Sequence, residues 1–320
     1  MNFAEEIKGW LGIKLHGINL IVDIVNGCPL SCPSCAVGSI GKRPIHYMSI
    51  ETFRRILDKA GKVRNLQLYA YSDSCMHTHL DWFIQECTDR GIQTSISTVL
   101  QTTKCNFADV VEARPSEFRI SFAGWDYMDY YQKPAKWEIF NRKLEEVCAL
   151  PRYPETKWTM AFHLYNDNLH ELRHVRRTAK ELNLHLVVIP AIFMPCEKVV
   201  EKDYTDDDLL LIDHLIETPE ETIADLKFHK DYCLLWKQLY MDAKADVYLC
   251  QLVYKEQFKL GNFFDMSNKE ILRKIKTHPF CWKCMQKGGH AYQYCFANFI
   301  KYEDPVGFAN KQRRKSHSVH

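Results

Sequence analysis

Thirteen of the 320 residues are cysteine, and seven of them fall into two spaced sets. Cys28, Cys32 and Cys35 form C-x3-C-x2-C inside VNGCPLSCPSCAVG. Three thiols this close, with no fourth ligand beside them, make an incomplete cage. Cysteine thiolates hold iron–sulfur clusters, and a four-iron cluster held by three of them keeps one iron open to an outside ligand. Cys233, Cys250, Cys281 and Cys284 follow the spacing C-x16-C-x30-C-x2-C, and Cys295 adds a fifth thiol shortly after. That set suits a second cluster, with a zinc ribbon built around CWKC as the alternative. A secreted disulfide framework fits poorly. Such chains are short, and MNFAEEIKGW is acidic, without the basic segment and apolar stretch of a secretory signal. A reduced, cytoplasmic setting is the expectation. The 42 basic and 40 acidic residues leave a net charge of +2, which argues against a polybasic nucleic-acid coat. No apolar run approaches the ~18 residues of a membrane span.

These residues need a scaffold that brings them together. Apolar, β-branched runs begin at Ile18, Asn65, Ile92, Phe118, Trp158 and Leu184, and amphipathic helical stretches separate them. Ser49 reads as the N-cap of a helix stopping at Gly61, and Thr205 with Asp208 as a capping box before LLLIDHLI. Six strand–helix units in a row imply a parallel sheet with right-handed crossovers. The pattern changes after residue 225. WKQLYMDAKADVYLC reads as a hairpin turning near Ala243 to Asp246, FKLGNFF as a short strand, Ser267 to Lys276 as a helix, and CWKCMQKGGHAYQYC as a cysteine-rich knot. The chain divides on this reading into a core at 1–225, a small α+β cysteine-rich unit at 226–300 and a basic, disordered tail at 301–320.

The first cysteine set follows the first strand directly, at the ligand-binding edge of a parallel α/β sheet. In this the segment resembles the cluster loop of the radical S-adenosylmethionine (radical SAM) superfamily. The resemblance implies an α/β fold curled into a partial (β/α)6 barrel, a [4Fe–4S] cluster on Cys28, Cys32 and Cys35, and SAM chelating the open iron. A one-electron reductant of flavodoxin or ferredoxin type is the implied partner. The family's Gly-Gly-Glu-Pro segment after the second strand is replaced by Tyr71-Ser72-Asp73-Ser74, so Ser72 and Asp73 are the implied holders of the SAM amino group. Ser121 on the fourth strand, His163 ending the fifth and Pro190 ending the sixth complete the implied SAM contacts. Ser34 stands where the family usually has an aromatic residue. Further on, LYMDAKADVYLC, KLGNFFD, a short helix and CWKC are similar to the twitch half of a SPASM domain. That similarity implies one auxiliary [4Fe–4S] cluster on Cys233, Cys250, Cys281 and Cys284, with Cys295 as a substitute ligand. Ala245 takes the place of a usual glycine. Cys196, after the sixth strand, is a candidate hydrogen or proton donor to the reaction.

No motif names the substrate. The resemblance implies hydrogen abstraction by a 5′-deoxyadenosyl radical from a carbon next to nitrogen or oxygen, giving isomerisation or oxidation of an amino-acid- or amino-sugar-type group. Two settings stay open. In one the group is carried on a modified thymine base of viral DNA, a DNA modification made in the host cytoplasm. In the other the chain is a peptide- or aminocyclitol-modifying dehydrogenase. Small molecules, nucleotides and peptides are all substrate classes on this reading, and nucleic acid is a partner in the first. The loop GWDYMDYYQKP, with Trp125, Tyr127, Tyr130 and Tyr131, suits stacking on a flat or sugar-like group. Lys311, Arg313, Arg314 and Lys315 in the tail suit phosphates. A non-catalytic zinc-binding nucleic-acid module is the reading of another class, and colourless protein with stoichiometric zinc would mark it.

Overall fold

The computed structural model describes residues 19–37, 44–225 and 230–292. Cys295 and the basic tail lie outside the described residues. Strands β1 (Asn19–Val22), β2 (Asn65–Gln67), β3 (Gln93–Thr98), β4 (Glu117–Phe122), β5 (Lys157–Leu164) and β6 (His185–Pro190) pair in parallel, each beside the next in chain order. Helices α1 (Ile50–Ala60), α2 (Leu80–Asp89), α3 (Phe107–Glu112), α4 (Met128–Tyr131), α5 (Trp137–Cys148) and α6 (Leu172–Glu181) fill the crossovers. All six expected strands form. β2 stops earlier than the apolar run, because the backbone amides of Ala70 and Tyr71 bond to a side chain from β1's end rather than to a neighbouring strand.

Period-two alternation gives the sheet two different faces. In β4, Phe118, Ile120 and Phe122 are fully buried on the helix side. Phe122 stacks on Phe140 of α5 with centroids 4.6 Å apart, and Phe118 stacks on Trp158 at 4.7 Å. Truncating such a phenylalanine to alanine costs ~3–5 kcal/mol. The alternate residues Arg119 and Ser121 line a cavity on the opposite face. Every strand from β1 to β6, and a seventh that begins at Gln238, contributes to that cavity, through Asn19, Gln67, Ser97, Arg119, Ala161, Ile189 and Gln238. A flat sheet could not do this; the sheet is curled into the expected partial barrel.

The helix signals hold. The Ser49 hydroxyl accepts from the Thr52 amide, Gly61 closes α1 at φ 76°, and Thr205 with Asp208 forms the reciprocal capping box of α8 (Asp206–Asp213). Before α8 lies α7 (Cys196–Glu201), and after it α9 (Pro219–Asp225). The hairpin also forms, as β7 (Gln238–Met241) and β8 (Asp246–Tyr248), with β9 (Lys259–Asn262) antiparallel to β8. Ala245 sits in its turn at φ 60°, the left-handed region that glycine enters without cost. The expected division near residue 225 marks no break in the sheet: β7 pairs in parallel with β1 over Asn19–Val22, so β7–β9 extend the barrel. Helices α10 (Asn268–Thr277) and α11 (Pro279–Lys287) follow. The segment read as a knot begins as α11. His278 caps it, Pro279 occupies its first turn and Gly288 ends it in the left-handed conformation. Cys281 and Cys284 thus lie one turn apart on one helix face.

Candidate active site and a second cysteine chamber

The cavity inside the barrel has a volume of about 640 Å³. Cys28, Cys32 and Cys35 stand on its wall, in the loop after β1. That loop is tied down on every side. The Gly27 carbonyl accepts from the Asp73 amide at 3.3 Å, the Ser31 amide donates to Lys133 at 2.6 Å, and the Ser34 carbonyl accepts from Met194 at 3.0 Å. Asn26 bridges to the β7–β8 turn, donating to Asp242 at 3.1 Å and accepting from the Ala243 amide at 2.7 Å. Burial, the Asp73 carboxylate and the neighbouring thiols push the Cys28 thiol well up, and burial followed by Cys35 raises Cys32. Thiols held together against mutual ionisation fit a cationic metal group, which supplies the charge that their thiolates need.

The implied SAM contacts also line this cavity: Ser72, Asp73, Ser121, His163 and Pro190. Their own bonds differ. Asp73 is buried, and its carboxylate accepts from the Cys75 amide at 2.9 Å, the Val99 amide at 3.0 Å and the Thr98 hydroxyl at 3.1 Å. Burial outweighs these bonds and raises its pKa to about 6. His163 Nε2 lies 3.0 Å from the Ser121 hydroxyl. Burial, then repulsion from Arg119, lowers its pKa to about 4, so the ring is neutral near pH 7. Ser34 pairs with the Tyr165 hydroxyl at 3.0 Å, and Tyr165 stacks on Tyr131 with centroids 3.6 Å apart. An aromatic surface therefore stands beside Ser34 although position 34 itself carries none. Of the aromatic loop, Tyr131 reaches the cavity, while Trp125 is stacked on His174 at 4.4 Å.

Three features were not read from the sequence. Asp23 follows β1 directly, is fully enclosed, and accepts from the Ala70 and Tyr71 amides at 2.7 and 3.1 Å and from the Ser72 and Tyr240 hydroxyls at 2.5 and 2.8 Å. It holds the loop that carries Ser72 and Asp73. Burial raises its pKa despite these four donors. Arg119 brings a cation into the lumen. It donates to Tyr69 at 3.2 Å, and its buried Nε has no hydrogen-bond partner among the described residues. The signal for both was a charged residue on the lumen phase of an apolar run. Third, Cys196 is absent from the barrel cavity. It lines a separate small chamber with Cys233, Cys250, Cys281 and Cys284, its sulfur 3.9 Å from that of Cys284. The candidate donor is thus placed among the second set of cysteines.

Apart from its thiols and His290 that chamber is almost wholly apolar, with Trp236, Phe280 and Met285 in its wall. Burial raises the pKa of Cys233, Cys250 and Cys281, and neighbouring thiols add to it. Among the described residues, Asp126, His170 and Glu171 are the one set of three whose ligand atoms fall within 4.8 Å of one another. Among the described residues no three thiols of either set fall that close together. The Asp126 set has another task, since Glu171 accepts from the Trp125 and Asp126 amides at 2.6 and 3.4 Å and so anchors the aromatic loop. No helix among the described residues is long and apolar enough to cross a membrane.

No family model matches the chain. The PqqA peptide cyclase of Bradyrhizobium diazoefficiens is 20% identical over 166 residues, covering 51% of this chain and 43% of that protein. The chain thus spans less than half the length of that relative. The solved structure of anSMEcpe with bound AdoMet is 15% identical with a TM-score of 0.56, over 92% of this chain and 99% of the other. Streptococcus suis SuiB bound to its precursor peptide SuiA is 13% identical with a TM-score of 0.53, over 94% and 78%. Sheet order, the curled lumen and these radical SAM neighbours agree, and the chain has the radical SAM partial-barrel fold.

Proposed function

We propose that this chain is a radical SAM enzyme acting on a carbon next to nitrogen or oxygen in an amino-acid- or amino-sugar-type group. One observation carries the reading: the three thiols after β1 and the strand-end residues Ser72, Asp73, Ser121, His163 and Pro190 all face one cavity. Cys28, Cys32 and Cys35 would hold a [4Fe–4S] cluster, and Cys233, Cys250, Cys281 and Cys284 an auxiliary one. When bound, the first cluster supplies an electron from an external reductant to SAM, whose cleavage yields the radical that takes the substrate hydrogen. The chain's own part is to orient and exclude. Asp23 fixes the Ala70–Ser72 loop, and Asp73 offers a carboxylate to the SAM ammonium. Neutral His163, held by Ser121, offers a hydrogen bond without charge. Arg119 gives the lumen a cation for a carboxylate or phosphate of the bound molecules.

The lumen sets a few polar and charged groups in a mainly apolar wall and is of a size that takes a small molecule or one unit of a larger one. Two similar proteins concern peptides by name, which supports a peptide-borne amino-acid unit as the substrate class. A base-borne amino-acid unit has the same chemistry at the reacting carbon. The heteroatom's lone pair would stabilise the substrate radical, which would then either rearrange and take a hydrogen atom back from 5′-deoxyadenosine, or lose a proton and pass one electron to the auxiliary cluster. The test is anaerobic reconstitution with SAM and dithionite. The reaction should form 5′-deoxyadenosine, and candidate substrates deuterated at the heteroatom-bearing carbon should pass label to it. Unchanged substrate mass would mark isomerisation and a loss of two hydrogens oxidation. Methylation of the substrate, or no SAM cleavage by protein with a full first cluster, would refute the reading.

A further inference from the structure

The second chamber holds one thiol more than a cubane can use. Its wall carries Cys196, Cys233, Cys250, Cys281 and Cys284. Cys196 and Cys284 come from chain segments 88 residues apart, yet their sulfurs are separated by 3.9 Å. Two thiolates on a single tetrahedral ion with bonds of about 2.3 Å sit roughly 3.8 Å apart. The pair is therefore as close as two sulfurs bound to the same metal atom. In a four-iron cubane each iron takes one cysteine. Only one member of such a pair can be used at a time.

The protein builds this proximity deliberately. Cys196 opens α7 and Cys284 lies in α11, and an ion pair between Glu201 and Lys283 clamps the two helices together. A second ion pair, Glu197 to Lys255 at 2.9 Å, fixes the start of α7 to the segment after β8. Gly289 closes over both sulfurs. A Cβ at that position would lie 3.1 Å from the Cys284 sulfur, 3.6 Å from the Cys196 sulfur and 2.6 Å from a Val200 methyl. Only a residue without a side chain lets the backbone pass there.

We infer that Cys196 and Cys284 are alternative ligands at one corner of the auxiliary cluster, so that the chamber is a five-thiol site tolerant of losing either. The inference rests on the reading of that chamber as a cluster site. Ligation by either thiol releases one proton and moves no electron. Cys233 feels the charge of Cys284 but has no sulfur–sulfur contact of the Cys196–Cys284 kind among the described residues, and serves as the control.

The experiment counts iron and sulfide after anaerobic reconstitution in a Cys28→Ala/Cys32→Ala/Cys35→Ala background, so that bound iron belongs to the second chamber. The background should hold about four irons per chain. Cys284→Ala and Cys196→Ala should each keep about four, whereas Cys196→Ala/Cys284→Ala and Cys233→Ala should lose most of it. Loss of iron from Cys284→Ala to the same extent as from Cys233→Ala would overturn the alternative-ligand inference and leave the cluster reading standing. A background with zinc or no iron would overturn both. The same substitutions in the wild-type first site should leave SAM binding unchanged, which separates loss of a ligand from loss of the fold.

Discussion

Asp23 offers the sharpest test of how the barrel positions its cofactor loop. Each of its two oxygens accepts one backbone amide and one hydroxyl: Oδ1 takes Ala70 N–H and the Ser72 hydroxyl, Oδ2 takes Tyr71 N–H and the Tyr240 hydroxyl. In Asp23→Asn one oxygen becomes an NH2 group. The hydroxyl facing it can turn and accept, but the amide cannot, so one buried N–H is stranded at about 1–3 kcal/mol. Relief of the buried charge offsets part of this, since burial already raises the carboxyl pKa. Asp23→Ala strands both amides and should cost about 3–5 kcal/mol in total. Hydrogen exchange of the peptide spanning Leu66–Met76 measures the local cost, and equilibrium dialysis measures SAM affinity. Exchange of the Ala70 and Tyr71 amides should accelerate in the order wild type, Asn, Ala. SAM affinity should fall in the same order, ~10-fold or more for Ala, because Ser72 and Asp73 lose their fixed support. Wild-type exchange at Ala70 and Tyr71 in Asp23→Ala would refute the argument that this carboxylate holds the loop.

Cys32→Ala should abolish 5′-deoxyadenosine formation while the iron of the second chamber stays; normal product formation would move the first cluster elsewhere. Asp73→Ala should weaken SAM binding ~10–100-fold without loss of cluster absorbance, the loss of one charge-assisted bond worth ~1.5–3 kcal/mol, and unchanged affinity would assign the ammonium to another group. His163 has its pKa lowered from 6.5 to about 4 in the fold, so its neutral form stabilises the protein fully above pH 6.5 and that contribution fades as pH falls toward 4. The span corresponds to at most ~3 kcal/mol, less where water fills the lumen, and His163→Gln should flatten that part of the denaturation-midpoint-against-pH curve. An identical acid profile in the variant would show that the ring is already solvated.

Local rules reached far in this chain. The six parallel strands, the Ser49 and Thr205 caps, the hairpin and the two cysteine sets were all legible, because period, capping and loop spacing are set by residues close together in sequence. The residues expected at strand ends came together for the same reason: in a parallel barrel every strand end of one polarity opens on one mouth. What tertiary structure alone decided involves partners far apart in the chain. Asp23 reads in sequence as an odd charge in an apolar strand, and only the approach of Tyr240, 217 residues away, completes its role. The parallel pairing of β7 with β1, which carries the sheet past residue 225, depends on a register that no local pattern encodes. Cys196 looked like an active-site thiol because it follows the sixth strand. Its direction was set by how α7 packs on α11, and that packing turns it away from the lumen to face Cys284. Sequence spacing fixes which thiols are neighbours along the chain; the side of a helix on which each one ends up is a property of the packed molecule.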